Sequence, residues 1–158
     1  KNIYCVTGTG DVEGKLPEKV FFLHEKEEFL NGLDFLIMAI PQTNETEGII
    51  GERELKMLKP QAYVLNPARG PLIQEQALLK ALRNNWIAGA AIDTHYYYPM
   101  PSGHPLWTMP NVIMTPHISG SSASSRFLER VWHIFIQNVS NLQAGKPLLN
   151  ELSSSNLN

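Results

Sequence analysis

Short apolar runs that do not alternate with polar residues constrain this chain more than any other feature. Phe35 to Ile40 is one, stopped by Pro41. Ala62 to Leu65 is stopped by Asn66-Pro67, Ile87 to Ile92 by Asp93, and Val112 to Met114 by Thr115-Pro116. A strand with one wet face alternates, so runs without alternation are expected to be buried on both faces. Helical patterns separate them, at Glu52 to Leu58 and at Glu75 to Leu82, the latter with Ala77, Leu78, Ala81 and Leu82 on one face. Strands that alternate with helices need crossover connections and a parallel sheet. The expected fold class is therefore α/β, a doubly wound parallel sheet. Ile3 to Val6 and Val20 to Leu23 read as further short strands, and His24 to Asn31 as a helix.

The end of the chain has a different period. Phe127, Leu128, Val131, Trp132, Phe135, Val139 and Leu142 recur at steps of three or four residues, which predicts one long amphipathic helix. Ser121 to Ser125 supplies capping candidates, and Gly145-Lys146-Pro147 ends the helix. Residues 153–158 read as a disordered tail. A length of 158 residues with 43% hydrophobic and 18% charged residues suits one globular domain. The formal charge of −2 without a basic cluster argues against nucleic acid. Cys5 is the single cysteine, which excludes an internal disulfide and a Cys-rich metal site. No apolar run approaches the ~20 residues of a membrane span, and no secretory leader is legible, so a cytoplasmic setting is the expectation. A first residue Lys1 rather than Met, followed at once by a strand-like run, suggests a piece of something longer.

In doubly wound sheets, ligands bind beyond the carboxyl ends of the strands. Those positions carry Pro41 to Thr46, then Asn66-Pro67-Ala68-Arg69-Gly70, then Asp93 with three tyrosines, then Thr115-Pro116-His117-Ile118-Ser119-Gly120. One edge thus collects Arg69, Asp93 and His117. Arginine grips a carboxylate with two parallel hydrogen bonds, and histidine carries a proton near neutral pH. Together they fit oxidation of a hydroxy acid or reduction of an oxo acid. Each residue alone has a plainer reading: Arg69 as a surface-turn arginine, His117 as a hydrogen-bonded loop histidine, Asp93 as a turn cap. His95 and His104 read as ordinary loop residues. Gly8-Thr9-Gly10-Asp11-Val12-Glu13-Gly14 imitates a dinucleotide loop, but its last glycine comes one residue late and Lys15-Leu16-Pro17 does not open an amphipathic helix.

The stretches "NPARGPLIQEQALLKALRNNWIAGAAID" and "HPLWTMPNVIMTPHISG" strongly resemble the D-isomer-specific 2-hydroxyacid dehydrogenases, and "IPQTNETEGIIGERELKMLKPQAYVLN" fits the same family. The similarity runs from about Ile3 to Leu152. It implies a partial Rossmann-like domain over 1–120 whose first strand and Gly-rich phosphate loop lie upstream. It also implies a segment, 121–158, whose long helix crosses back to a substrate lobe. The implied activity is hydride transfer between NAD or NADP and a 2-hydroxy or 2-oxo acid, with the isolated chain inactive. The resemblance is compatible with a homodimer.

Residue by residue, the resemblance makes Arg69 the substrate-carboxylate arginine and His117 the acid/base histidine. Asp93 resembles the aspartate near the nicotinamide. Ile40, Pro41, Thr46, Pro67 and Ala68 fall where the family contacts the cofactor, as do Arg69 and His117, and Gly120 falls where a side chain would crowd the nicotinamide. Two positions depart. Thr7 stands where the family's ribose-binding acid is expected, which leaves NAD or NADP open. Tyr98 stands where the family places a glutamate that pairs with the histidine. A phenol can orient an imidazole but lends it little charge. Two further readings therefore stay open: a non-catalytic NAD(P)-binding or sensing module, and an inert proteolytic fragment.

Overall fold

A computed structural model describes residues 11, 13–120 and 125–151. Phe21–Gly120 forms one compact unit, and the remaining described residues belong to a second. The strand expected at Ile3 to Val6 and the departure at Thr7 lie outside the described residues. So do the capping candidates over 121–124 and the tail over 153–158.

The first unit is built on four parallel strands in the order β1 (Phe35–Ile37), β2 (Tyr63–Asn66), β3 (Gly89–Ile92) and β4 (Val112–Met114). The α/β doubly wound class is thus observed. Helices α1 (Lys26–Leu30), α2 (Glu52–Leu55) and α3 (Glu75–Arg83) lie between and before the strands in the chain. The register aligns Asn66 with Ile92 and Ile92 with Met114, so the residues that follow, Pro67, Asp93 and Thr115, emerge level at one edge.

The core lies on one side of the sheet. Leu36, Val64, Ala90 and Ile92 are buried with Leu55, Leu72, Leu78 and Leu82. Helix α3 forms because its apolar positions repeat at helical spacing, with Glu75 in the first turn and Lys80 and Arg83 in the last to suit the helix dipole. It buries Ala77, Leu78, Leu79, Ala81 and Leu82, each leucine contributing about 1.5–3 kcal/mol.

Two expectations are corrected. The strands are not buried on both faces: Phe35 is 61% and Ile113 67% exposed, and Ile37 and Tyr63 are exposed beside them. A run without alternation records that both faces are apolar, not that both are covered. Val20 to Leu23 is not a strand. The Glu25 carboxylate accepts the Phe22 amide at 2.7 Å, which starts a 3-10 turn over Leu23–Glu25 that leads into α1. The capping carboxylate competes successfully with the local β propensity.

In the second unit, Asp11 accepts the amides of Lys15 and Leu16 at 2.9 and 2.8 Å. Those amides close a carboxylate turn, and Gly8 to Gly10 and Val12 of the glycine-rich stretch lie outside the described residues. Helix α4 (Ser125–Gln143) is the predicted long helix. It ends in a Schellman motif: Lys146 donates to the Asn141 carbonyl, Gly145 donates to Leu142, and Gly145 takes φ +64, where a side chain would be strained. The Asn138 side-chain amide then clasps Leu149, donating to its carbonyl at 3.2 Å and accepting its N–H at 2.7 Å.

Candidate active site

The loop after β2 is shaped by Asn66, which is buried at the strand end. Its side-chain amide donates to the Arg69 carbonyl at 2.8 Å and its oxygen accepts the Ala68 amide at 3.2 Å. This turn closes Pro67 and Ala68 and presents Arg69 outward. The Arg69 guanidinium bends back onto the Ala68 carbonyl, and its side chain is exposed.

Ile40, Pro41, Ala68 and Arg69 line one open cleft of about 530 Å3 with Thr43 and Asn44. The loop from Pro41 is closed by Thr46, whose hydroxyl donates to the Pro41 carbonyl at 2.7 Å and accepts the Thr43 amide at 2.8 Å. Thr46 shapes that cleft without lining it. A second recess of about 200 Å3 is lined by Pro67, Asp93, Thr115 and Ser119 together with the open face of the sheet.

Asp93 is 6% exposed and accepts four hydrogen bonds. The donors are the Thr115 hydroxyl, the Ile118 amide at 2.9 Å, the Ser119 amide at 2.9 Å and the Ser119 hydroxyl at 2.5 Å. Burial alone would raise its carboxyl. The hydrogen bonds from Ser119 and Thr115, then from the Ile118 and Ser119 amides, outweigh burial and hold it well below the usual carboxylate range. The carboxylate therefore braces the loop after β4 on both sides of His117. His117 itself sits at φ +58, a left-handed conformation that a non-glycine residue adopts only under surrounding constraint.

Tyr98 reaches His117. Its hydroxyl oxygen lies 3.0 Å from His117 Nδ1 and accepts the His95 amide at 3.0 Å. The phenol can donate to an unprotonated Nδ1 or accept from a protonated one, so it holds the His117 ring in either protonation state. His95 is no ordinary loop residue: its amide anchors Tyr98, and its Nε2 bonds the Thr115 carbonyl at 3.0 Å. Gly70 links this loop to Arg69, because a Cβ there would stand 2.6 Å from the backbone carbon and oxygen of His95. A Cβ added at Gly120 would meet no described residue within 4 Å, so packing among the described residues does not demand glycine there.

Asn66, Gly70, Thr115 and Ser119 were not singled out from the sequence. Asn66-Pro67 marked a strand stop, and an asparagine at that point is also a turn-former that bonds the backbone two residues on. That signal was present. Nothing local marks Thr115 or Ser119, whose partner is Asp93.

A parallel sheet with chemistry gathered at its carboxyl edge defines a nucleotide-binding α/β protein of the Rossmann type. Residues 2–119 match the family described as D-isomer specific 2-hydroxyacid dehydrogenase, NAD binding domain, and the chain belongs to that family. A glyoxylate reductase of Thermofilum pendens is 37% identical over 123 residues, covering 78% of this chain and 36% of the relative. A D-isomer specific 2-hydroxyacid dehydrogenase of Xanthobacter autotrophicus Py2, solved with NADPH and MES, superposes with a TM-score of 0.74 at 37% identity, over 83% of this chain and 52% of the other. An NADPH-dependent glyoxylate/hydroxypyruvate reductase of Sinorhizobium meliloti, solved with NADP and sulfate, gives 0.71 at 26% identity, over 79% and 40%. The chain thus spans about a third of the length of the Thermofilum relative. No helix among the described residues is long and apolar enough to cross a membrane.

Proposed function

We propose that this chain is the cofactor-binding part of a reductase that transfers a hydride between NAD or NADP and a small 2-oxo acid of the glyoxylate or hydroxypyruvate class. The observation that carries the reading is the Tyr98–His117 hydrogen bond, set on a loop braced by Asp93 and joined through Gly70 to the loop of Arg69. In this reading, 1–120 is the partial dinucleotide-binding domain and 121–158 crosses back to a substrate lobe. The isolated chain is inactive.

The residues fit the cofactor. Ile40, Pro41 and Ala68 offer apolar walls in a cleft whose other side carries Gln42, Thr43, Asn44, Glu47 and the cation Arg69, which supplies both a surface for a flat ring and hydrogen-bonding groups for a polar ligand. Thr46 holds the shape of that cleft, Pro67 and Asp93 bound the neighbouring recess, and Gly120 has no side chain to crowd the nicotinamide. When bound, the nicotinamide ring supplies or accepts the hydride. Arg69 grips the substrate carboxylate with both nitrogens of its fork. Protonated His117 donates from Nε2 to the oxygen that gains charge as the oxo group is reduced, and is left neutral. Tyr98 holds the imidazole ring from Nδ1, and Asp93 keeps the loop in place.

The test is Arg69→Lys in the intact enzyme. Lysine keeps the charge and loses the fork, and misalignment by about 1 Å lowers the rate about 100-fold. A loss of that order in kcat/KM on the best 2-oxo acid is expected. Near-unchanged kcat/KM means Arg69 is not the clamp. The phenol at Tyr98 favours a second reading, a nicotinamide-nucleotide sensor without turnover. Tight NAD(P)H binding by the intact protein with no oxidation of NAD(P)H across a panel of 2-oxo acids would select that reading.

A further inference from the structure

Three consecutive tyrosines follow β3 and have three different surroundings. Tyr98 faces His117. Tyr96 is partly buried, and that burial, with the charge of Glu75 and the neighbouring Tyr97, pushes its phenol well above the usual range. Tyr97 turns toward α3, where its hydroxyl donates to Glu75 Oε2 at 2.8 Å.

Glu75 is the first residue of α3, and a carboxylate there has an ordinary use, since it suits the helix dipole. This one is committed elsewhere. Its Oε1 lies 3.0 Å from His104 Nε2. His104 is 7% exposed, and its Nδ1 accepts the Leu106 amide at 3.2 Å. An Nδ1 that accepts carries no proton, so the imidazole proton sits on Nε2 and points at Glu75. The carboxylate thus receives one hydrogen bond from each side of the 96–107 loop, from Tyr97 and from His104. The Tyr97 and His104 ring centres lie 6.1 Å apart with the planes tilted by 56°.

We infer that Glu75 is a positioning residue for the active site: by holding Tyr97 and His104 to the start of α3, it holds Tyr98 on Nδ1 of His117. The inference rests on the proposed function only for its catalytic consequence. Its geometric content is independent. Tyr97 and Tyr98 are adjacent, and their hydroxyls are tied to opposite sides of the loop, one to α3 and one to the loop after β4. Tyr98 is itself exposed, so little packing holds its ring. Its hydroxyl meets the His95 amide and His117 only while its backbone is held in place beside Tyr97, which Glu75 ties to α3. The chain of contacts is Glu75 to Tyr97, Tyr97 to Tyr98 through one peptide bond, and Tyr98 to His117. Glutamine at 75 can accept from His104 and donate to Tyr97, so it retains the clasp. Alanine cannot.

The experiment reads His117 directly, by NMR of the chain labelled with 15N at histidine. In the parent protein the ring nitrogen signals report the Tyr98 bond at Nδ1. Tyr98→Phe removes that bond. Tyr97→Phe and Glu75→Ala are expected to move the His117 signals most of the way to those of Tyr98→Phe, Glu75→Gln to leave them at the parent values, and Tyr97→Phe to add nothing when combined with Tyr98→Phe. Should Glu75→Ala fail to fold, Tyr97→Phe, at an exposed side chain, still decides. His117 signals at parent values in Tyr97→Phe would overturn the inference, as would a parent protein whose His117 does not respond to Tyr98→Phe. In the intact enzyme, Tyr97→Phe is expected to lower kcat by the same factor as Tyr98→Phe with the cofactor KM unchanged. An NMR response without any effect of Tyr98→Phe on kcat would leave the positioning role standing and refute the catalytic reading instead.

Discussion

Replacing Asp93 with asparagine tests the brace under His117. The carboxylate accepts four hydrogen bonds, two on each oxygen. Asparagine keeps one oxygen and can still accept from Thr115 and Ile118. Its NH2 group then faces Ser119. The Ser119 hydroxyl can rotate and accept, but the Ser119 amide cannot, so one donor confronts another in a buried site. Hydrogen bonds to a charged group are worth about 1.5–3 kcal/mol each. Losing one, and the charge assistance on the others, should cost about 2–4 kcal/mol. The loss has a pH signature. The folded-state pKa lies below the unfolded value of about 3.9, so the contribution is fully present above that pH. As pH falls, the unfolded chain takes up the proton first, and the parent protein loses about 1.4 kcal/mol per pH unit until the folded carboxyl titrates. The carboxamide of the variant does not titrate, so its stability has no such dependence. The stability gap between parent and Asp93→Asn should therefore be constant near neutrality and shrink below about pH 4. Urea unfolding of both proteins from about pH 7 to about pH 3 measures it, and hydrogen exchange at the Ile118 and Ser119 amides should quicken in the variant. A gap below about 0.5 kcal/mol, flat with pH, would refute the brace.

In the intact enzyme, the limb on which reduction is lost as pH rises should move upward in Tyr98→Glu, because a carboxylate favours the imidazolium. Tyr98→Phe should lower kcat with that limb in place. The check is kcat/KM against pH, and an unshifted limb in an active Tyr98→Glu enzyme would mean that residue 98 does not face His117. Gly70→Ala should force the Arg69 and His95 loops apart, since its methyl would meet backbone at 2.6 Å. A cost of about 1–3 kcal/mol and a Tm lower by roughly 5 °C are expected, and calorimetry showing an unchanged Tm would contradict the close approach.

Much of the framework was legible along the chain because it is periodic. Val112 to Met114 is β4 as read, and the pattern from Glu75 is α3, extended by one residue to Arg83. Breakers after each run marked the carboxyl edge, and that sufficed to place Arg69, Asp93 and His117 there. Periodicity could not say which apolar face is covered, and the exposed side of Phe35 and Ile113 is the result. It also missed the turn at Phe22, where one carboxylate three residues away outweighs a strand-like run. The site itself was decided by tertiary structure. Asp93 meets Thr115 and Ser119 across 22 and 26 residues, and Glu75 meets His104 across 29. A carboxylate in water is already satisfied and carries no local sign of its partners. Only when the sheet aligns Pro67, Asp93 and Thr115 at one edge do those donors replace water, and only then do a turn cap and two loop histidines become parts of one network.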